Sequence, residues 1–202
     1  TLTYAKKDNQ FEAAAKISII IKENSSDKII YSKLFKTPSV VSDTSDAILN
    51  QKIVGQLNFV ISDGSYKMEI VGSDFNDSAK IDFYNENFIV NNYTSSDLKI
   101  SDIELSDNIT KSDNSSSIFY KNTLEVIPNP SGLFGMNLNE LNYYYEVYGL
   151  TPENISEDYI ANFSIINLNK EALISINKPY KRKSESKADF GKIIIDSLQR
   201  GS

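Results

Sequence analysis

The chain has 202 residues, about twice the length of a single immunoglobulin-sized sandwich of ~100 residues, and 40% of them are hydrophobic, enough to bury a sizeable core. Its formal net charge is −6, and the acidic and basic residues are interspersed. That argues against a nucleic-acid or anionic-membrane surface, which needs a basic patch. There is no His and no Cys, which excludes His-based triads, Cys/His zinc sites, thiol chemistry and disulfides.

In chain order, period-2 alternation and β-branched residues dominate. Phe11 to Lys22 predicts a long strand with Ala13, Ala15, Ile17, Ile19 and Ile21 on its core face. The polar turn 23–27 leads into a return strand over Lys28 to Thr37, and the two make a hairpin. Pro38 to Asp46 reads as a loop, Ser42 to Gln51 has room for a helical turn, and Leu57 to Ile61 reads as a strand end. Ser62-Asp63-Gly64-Ser65 is a turn, because Asp-Gly favours positive φ. Tyr66 to Val71 and Lys80 to Val90 alternate as strands, the latter as a pair or one bent strand. The polar stretch Asn91 to Asp97 marks a domain boundary, giving a domain over 1–94 and another over 95–202.

The second set opens with a strand over Leu98 to Leu105, then a polar loop over Asp107 to Ser117. A strand over Phe119 to Ile127 is stopped by Pro128-Asn129-Pro130, since proline cannot donate to a ladder. Leu141 to Leu150 is the most aromatic strand. Tyr159 to Asn167 and Glu171 to Asn177 form a hairpin, Pro152 to Tyr159 holds a turn or two, and Ile193-Ile194-Ile195 lies in a late strand. Frequent short strands and no long amphipathic helix predict an all-β chain of two tandem immunoglobulin-like or fibronectin-III-like sandwiches. Gly201-Ser202 echoes Gly64-Ser65, after which the first set continues into another strand. The second sandwich is therefore expected to lack its last strand, leaving an edge that another segment fills by strand addition.

Chemistry is sparse. Asp102 and Glu104 lie two apart on one strand face, as on an ordinary solvent-facing surface. Asp43 to Asp46 and Asp74 to Asp77 are oxygen-rich loops of calcium-binding composition, without the glycine and terminal glutamate of an EF-hand. Lys181-Arg182-Lys183 is diluted by Glu185 and reads as a solvated turn. The glycines do not cluster into a phosphate cradle. Tyr143 and Tyr145 alternate as core residues, whereas Tyr144 and Tyr148 face the other way and are the candidates for an exposed contact surface. No catalytic, cofactor-binding or metal-ligating residue is assigned, and no apolar run is long enough to span a bilayer.

Ser101-Asp102-Ile103 within its strand, Pro128-Asn129-Pro130-Ser131 and Tyr144-Tyr145-Glu146-Val147-Tyr148 occur in that order. Together with Phe119-Tyr120-Lys121-Asn122 and Asp63-Gly64-Ser65-Tyr66, the stretch from about 50 to 150 resembles the N-terminal β region of bacterial GWxTD-domain proteins. The Gly-Trp-x-Thr-Asp signature itself is absent, and the chain has no Trp. The resemblance implies an exported or cell-envelope bacterial protein and a chain that continues beyond Ser202; it supplies no catalytic residues. The expected function is a non-catalytic structural or protein-interaction module. The partner is another protein or the rest of the same polypeptide, with no nucleic acid, no membrane insertion and no cofactor. The alternatives are a carbohydrate-binding module using Tyr144 and Tyr148, and an accessory domain of a surface enzyme.

Overall fold

A computed structural model describes residues 2–45, 55–94, 96–135 and 139–198. The expectations for Ser42 to Gln51, in the main, and for the Gly201-Ser202 echo fall outside them. Among the described residues the protein is all-β, with antiparallel pairing throughout and no helix. It divides into two compact units, Thr1–Ile53 with Asn58–Asn92 and Val54–Leu57 with Tyr93–Ser202.

The first unit is one twisted sheet. β1 (Ala5–Lys7), β2 (Gln10–Glu23), β3 (Ile29–Val41), β4 (Gly64–Asp74) and β5 (Ile81–Val90) run in chain order. β2 pairs along one edge with β3 and along the other with β4, and β1 fills the end of that second edge. The odd-numbered face of β2 is the core face, as the alternation requires: Ile19 and Ile21 are buried with Tyr66, and Ile17, Tyr31, Phe35, Met68 and Phe88 pack on them. Phe59 and Ile61 cover this face, although 57–61 form no ladder. Phe59 meets Tyr31 edge-on with ring centroids 4.6 Å apart, an aromatic geometry worth about 1 kcal/mol beyond burial. On the opposite face Glu69 bridges Lys22 at 2.7 Å and Lys67 at 2.9 Å. β3 continues through Pro38, where a loop was expected. An outer strand tolerates proline when the missing N–H faces away from the ladder.

The second unit has two layers. The first comprises β6 (Lys99–Ile100), β7 (Glu104–Lys111), β8 (Tyr120–Lys121), β9 (Leu124–Pro128), β10 (Glu140–Tyr148) and β13 (Ser186–Ile194), with the order β13-β10-β7-β9-β8. β6 and β7 share one edge of β10. The second layer is the hairpin β11 (Asp158–Ile166) with β12 (Ala172–Lys181). Tyr159, Phe163, Ile165, Ile174 and Ile176 of the hairpin pack on Tyr143, Tyr145, Val147 and Ile193 of the sheet, which is the arrangement of a sandwich.

Three local departures from the expected elements have physical causes. The polar stretch from Asp107 begins as strand because β9 pairs with it, Ile109 opposite Val126 and Lys111 opposite Leu124. The expected single strand over 119–127 is a tight hairpin. Asn122 and Thr123 have φ of 47° and 65°, the two positive values that a type I′ turn requires. The opening strand breaks between β6 and β7 at 101–103. There the Ser101 N–H donates to the Glu146 carbonyl and the Glu146 N–H donates to Ser101 Oγ, both at 2.9 Å. Gly149 follows β10 with φ +68, and a Cβ there would sit 2.1 Å from the Asp97 carbonyl oxygen, so only glycine fits.

Candidate functional site

β10 presents tyrosines to both of its faces. Toward the hairpin, Tyr145 Oη donates to Asp189 Oδ2 at 2.9 Å, and Tyr180 donates to the same oxygen. Burial and the neighbouring Asp189 charge push both phenols well above their ordinary pKa. Tyr143 lies over Gly191, where an added Cβ would be 2.6 Å from its hydroxyl oxygen.

On the other face Glu146 gathers the polar groups. Its carboxylate accepts from Tyr144 Oη at 2.6 Å, from Asn122 Nδ2 at 3.2 Å and from the Tyr148 hydroxyl. Asn122 also donates to Tyr144 Oη at 2.6 Å. Burial first, and then the hydrogen bond to Glu146, push Tyr148 up to about 12 and Tyr144 higher still.

Tyr144 and Tyr148 do not form the exposed surface that alternation predicts. Tyr144 is 3% exposed because β9 covers it with Leu124 and Val126. Tyr148 is half-buried against Tyr93, with ring centroids 4.8 Å apart. Neither ring is a free platform, since the bulge in β7 before Asn108 lets β9 pack over the face that alternation left to solvent. Tyr143 and Tyr145 are core, as their spacing predicts.

Elsewhere several of the candidate side chains already have partners. The buried Asp74 carboxylate accepts the N–H groups of Thr3, Asn76 and Asp77, the last two at 2.8 and 3.2 Å. Burial raises its pKa, and these donors together outweigh that and hold it below the usual range. It therefore ties the N-terminal segment to the turn after β4. In the other oxygen-rich loop Asp43 Oδ1 accepts the Ser45 N–H. Asp102 is exposed, and Glu104 pairs with Lys121 rather than with Asp102. Within 181–183, the Arg182 N–H donates to the Glu157 carbonyl at 2.8 Å. No group of three or more acidic residues that could hold a metal occurs among the described residues.

Between the layers of the second unit lies an open cleft of about 560 Å³. Its floor is Ile100, Ile103, Leu105, Leu141, Tyr143 and Ile193, and its wall is the consecutive run 160–165 of β11. Side chains of both parities line it, so it follows the backbone edge of that strand. Ile100 is 60%, Ile103 56% and Ile160 70% exposed, a cluster of aliphatic surface that burial elsewhere would favour. The sequence shows each of these residues but not their convergence, because β11 becomes an edge only through topology.

The fold and the cleft together define an all-β chain of antiparallel sheets with an apolar groove at a sheet edge. No protein-family model, curated protein or solved structure matches the chain.

Proposed function

We propose that this chain is a non-catalytic protein-interaction module and that the cleft beside β11 is its contact surface. The observation that carries the reading is the coincidence of exposed Ile100, Ile103 and Ile160 with a strand edge on one concave surface. Apolar area that stays in water costs about 25 cal/mol per Å² relative to burial, and its clustering in a groove is the mark of an interaction site. Glu104, Glu146 and Asp189 are engaged in structural ion pairs and hydrogen bonds, the last two with the phenols of Tyr144, Tyr145, Tyr148 and Tyr180. The resemblance to GWxTD-domain proteins adds an expected setting, an exported or cell-envelope bacterial protein. No observation favours the carbohydrate reading once Tyr144 is buried.

A photoreactive side chain placed at Ile103, in cells that make the protein, tests the reading. The expected product is a defined polypeptide adduct that is missing when the probe stands at Lys67 on the outer face of β4. Recovery of the chain with no adduct at position 103, or with a glycan adduct, would overturn it.

A further inference from the structure

The edges of the sheets differ in how they are protected. An open edge strand invites pairing, and proteins block it with charge, proline or shortness. β3 carries Lys33, Lys36 and Pro38, β5 carries Asp82 and Glu86, and β13 carries Lys187, Asp189 and Lys192. β8 has two residues. β12 carries Lys178, Pro179 and Lys181. Among the described residues β11 pairs with β12 alone, and from Tyr159 to Ile166 it has no charged residue and no proline.

The direction of its backbone groups follows from the ladder. The Glu157 carbonyl accepts from Arg182 N–H, so residues of that parity face β12. By the two-residue alternation of an antiparallel pair, the N–H and C=O groups of Ile160, Asn162 and Ser164 point to the open edge. The register agrees, since Pro179, which has no N–H, stands opposite Ile160 at a position that β12 turns away from β11.

We propose, resting on the interaction-module reading, that β11 accepts one added strand. The occupant is an extended segment of another polypeptide, uncharged over about five to six residues, with branched aliphatic side chains at alternate positions. Its backbone pairs with Ile160, Asn162 and Ser164, and its inward side chains lie on Ile100, Ile103 and Leu105. The absence of charge on β11 from Tyr159 to Ile166 and on the floor matches an uncharged strand. A second copy of β11 does not meet the need. Its inward residues Tyr159, Phe163 and Ile165 are already packed in their own core and have none to offer the cleft. An acyl chain would leave the edge amides unpaired.

The test uses the full chain and a soluble peptide of about seven residues alternating valine with threonine, against a shuffled peptide of the same composition. The expected result is saturable binding of the alternating peptide only. Amide exchange at Ile160, Asn162 and Ser164 should slow by at least about tenfold, while exchange at Tyr159 and Phe163, already bonded to β12, stays unchanged. Asn162→Pro removes an edge amide and keeps the backbone ladder to β12, though it also loses the Asn162 side-chain bond to Asn177 at 2.7 Å, a loss that Asn162→Ala shares. The proline variant, and not the alanine one, should weaken binding by about tenfold or more with native circular dichroism. Ile103→Lys should weaken it to a similar degree and does not alter β11, so a folding defect in the proline variant leaves the proposal testable. Binding of both peptides alike, or binding without protection of the three amides, overturns strand addition while leaving an interaction surface in place. Protection that rises with protein concentration in the absence of peptide overturns it in favour of a second copy. No binding of either peptide overturns it outright, and the adduct at position 103 then decides the broader reading separately.

Discussion

In the first unit the core face of β2 and β4 is closed by its own chain, through Phe59 and Ile61. In the second, the two-stranded layer β11–β12 stops beside Ile100 and Ile103, and both stay more than half exposed. The two units also differ in what they bury besides hydrocarbon. The first buries the carboxylate of Asp74 under backbone donors and Tyr66 with its hydroxyl on the Ser62 carbonyl, and the second sets its tyrosine hydroxyls against the carboxylates of Asp189 and Glu146. Exposed apolar side chains occur in both units, Phe83 and Ile89 in the first among them, but in the second unit Ile100, Ile103 and Ile160 converge on one cleft.

The two cores should respond most strongly to substitution. Ile21→Ala in the first unit and Leu150→Ala in the second each remove a side chain that is 1% exposed. Each should cost about 3 kcal/mol, read as lost amide protection in the strands around it. A loss below about 1 kcal/mol at either position would mean that the core is misplaced.

Next come the buried polar groups, where the units should respond to opposite ends of the pH scale. Asp74→Ala leaves three backbone donors without their acceptor and should destabilise the first unit by about 2 kcal/mol in denaturant titration. The folded-state pKa of Asp74 lies below its unfolded value. The stability it supplies is therefore present above the ordinary carboxylate pKa and is lost as pH falls through the folded value. Asp74→Asn should flatten that acid limb.

Tyr148 has the reverse sign. Its pKa is raised from 10.0 to about 12, so its contribution is present below 10 and is lost as pH rises toward 12. Tyrosinate absorbance should thus appear late in the folded protein, together with loss of protection in β10. Tyr148→Phe should shift the alkaline limb to higher pH.

The smallest effect is expected in the cleft. Ile103→Ala and Ile160→Ala change side chains that are 56% and 70% exposed, and each should alter stability by no more than about 0.5 kcal/mol. A larger cost would show that these isoleucines serve the fold and would remove the basis for a contact surface.

Much of the fold was legible in the alternation of particular residues. Ile17, Ile19 and Ile21 take the core side, Tyr143 and Tyr145 the inner face of β10, and Asn167 to Lys170 the turn of the β11–β12 hairpin. Propensity failed where pairing partners mattered more. Asn108, Thr110 and Lys111 read as loop and became strand because β9 lies alongside them, and Pro38 stayed in β3, which among the described residues has a neighbour on one side only.

The candidate site was the least legible part. Tyr144 has the parity of an exposed residue and is buried, because parity describes one strand and burial depends on what crosses it. By itself the sequence determined the all-β class and which side chains share a strand face, since both follow from the two-residue period of an extended chain. Tertiary structure decided which faces meet and which edges stay open, because these depend on strands distant in sequence. The same uncharged run from Tyr159 to Ile166 is an ordinary inner strand in one topology, and in this one it is the wall of the cleft.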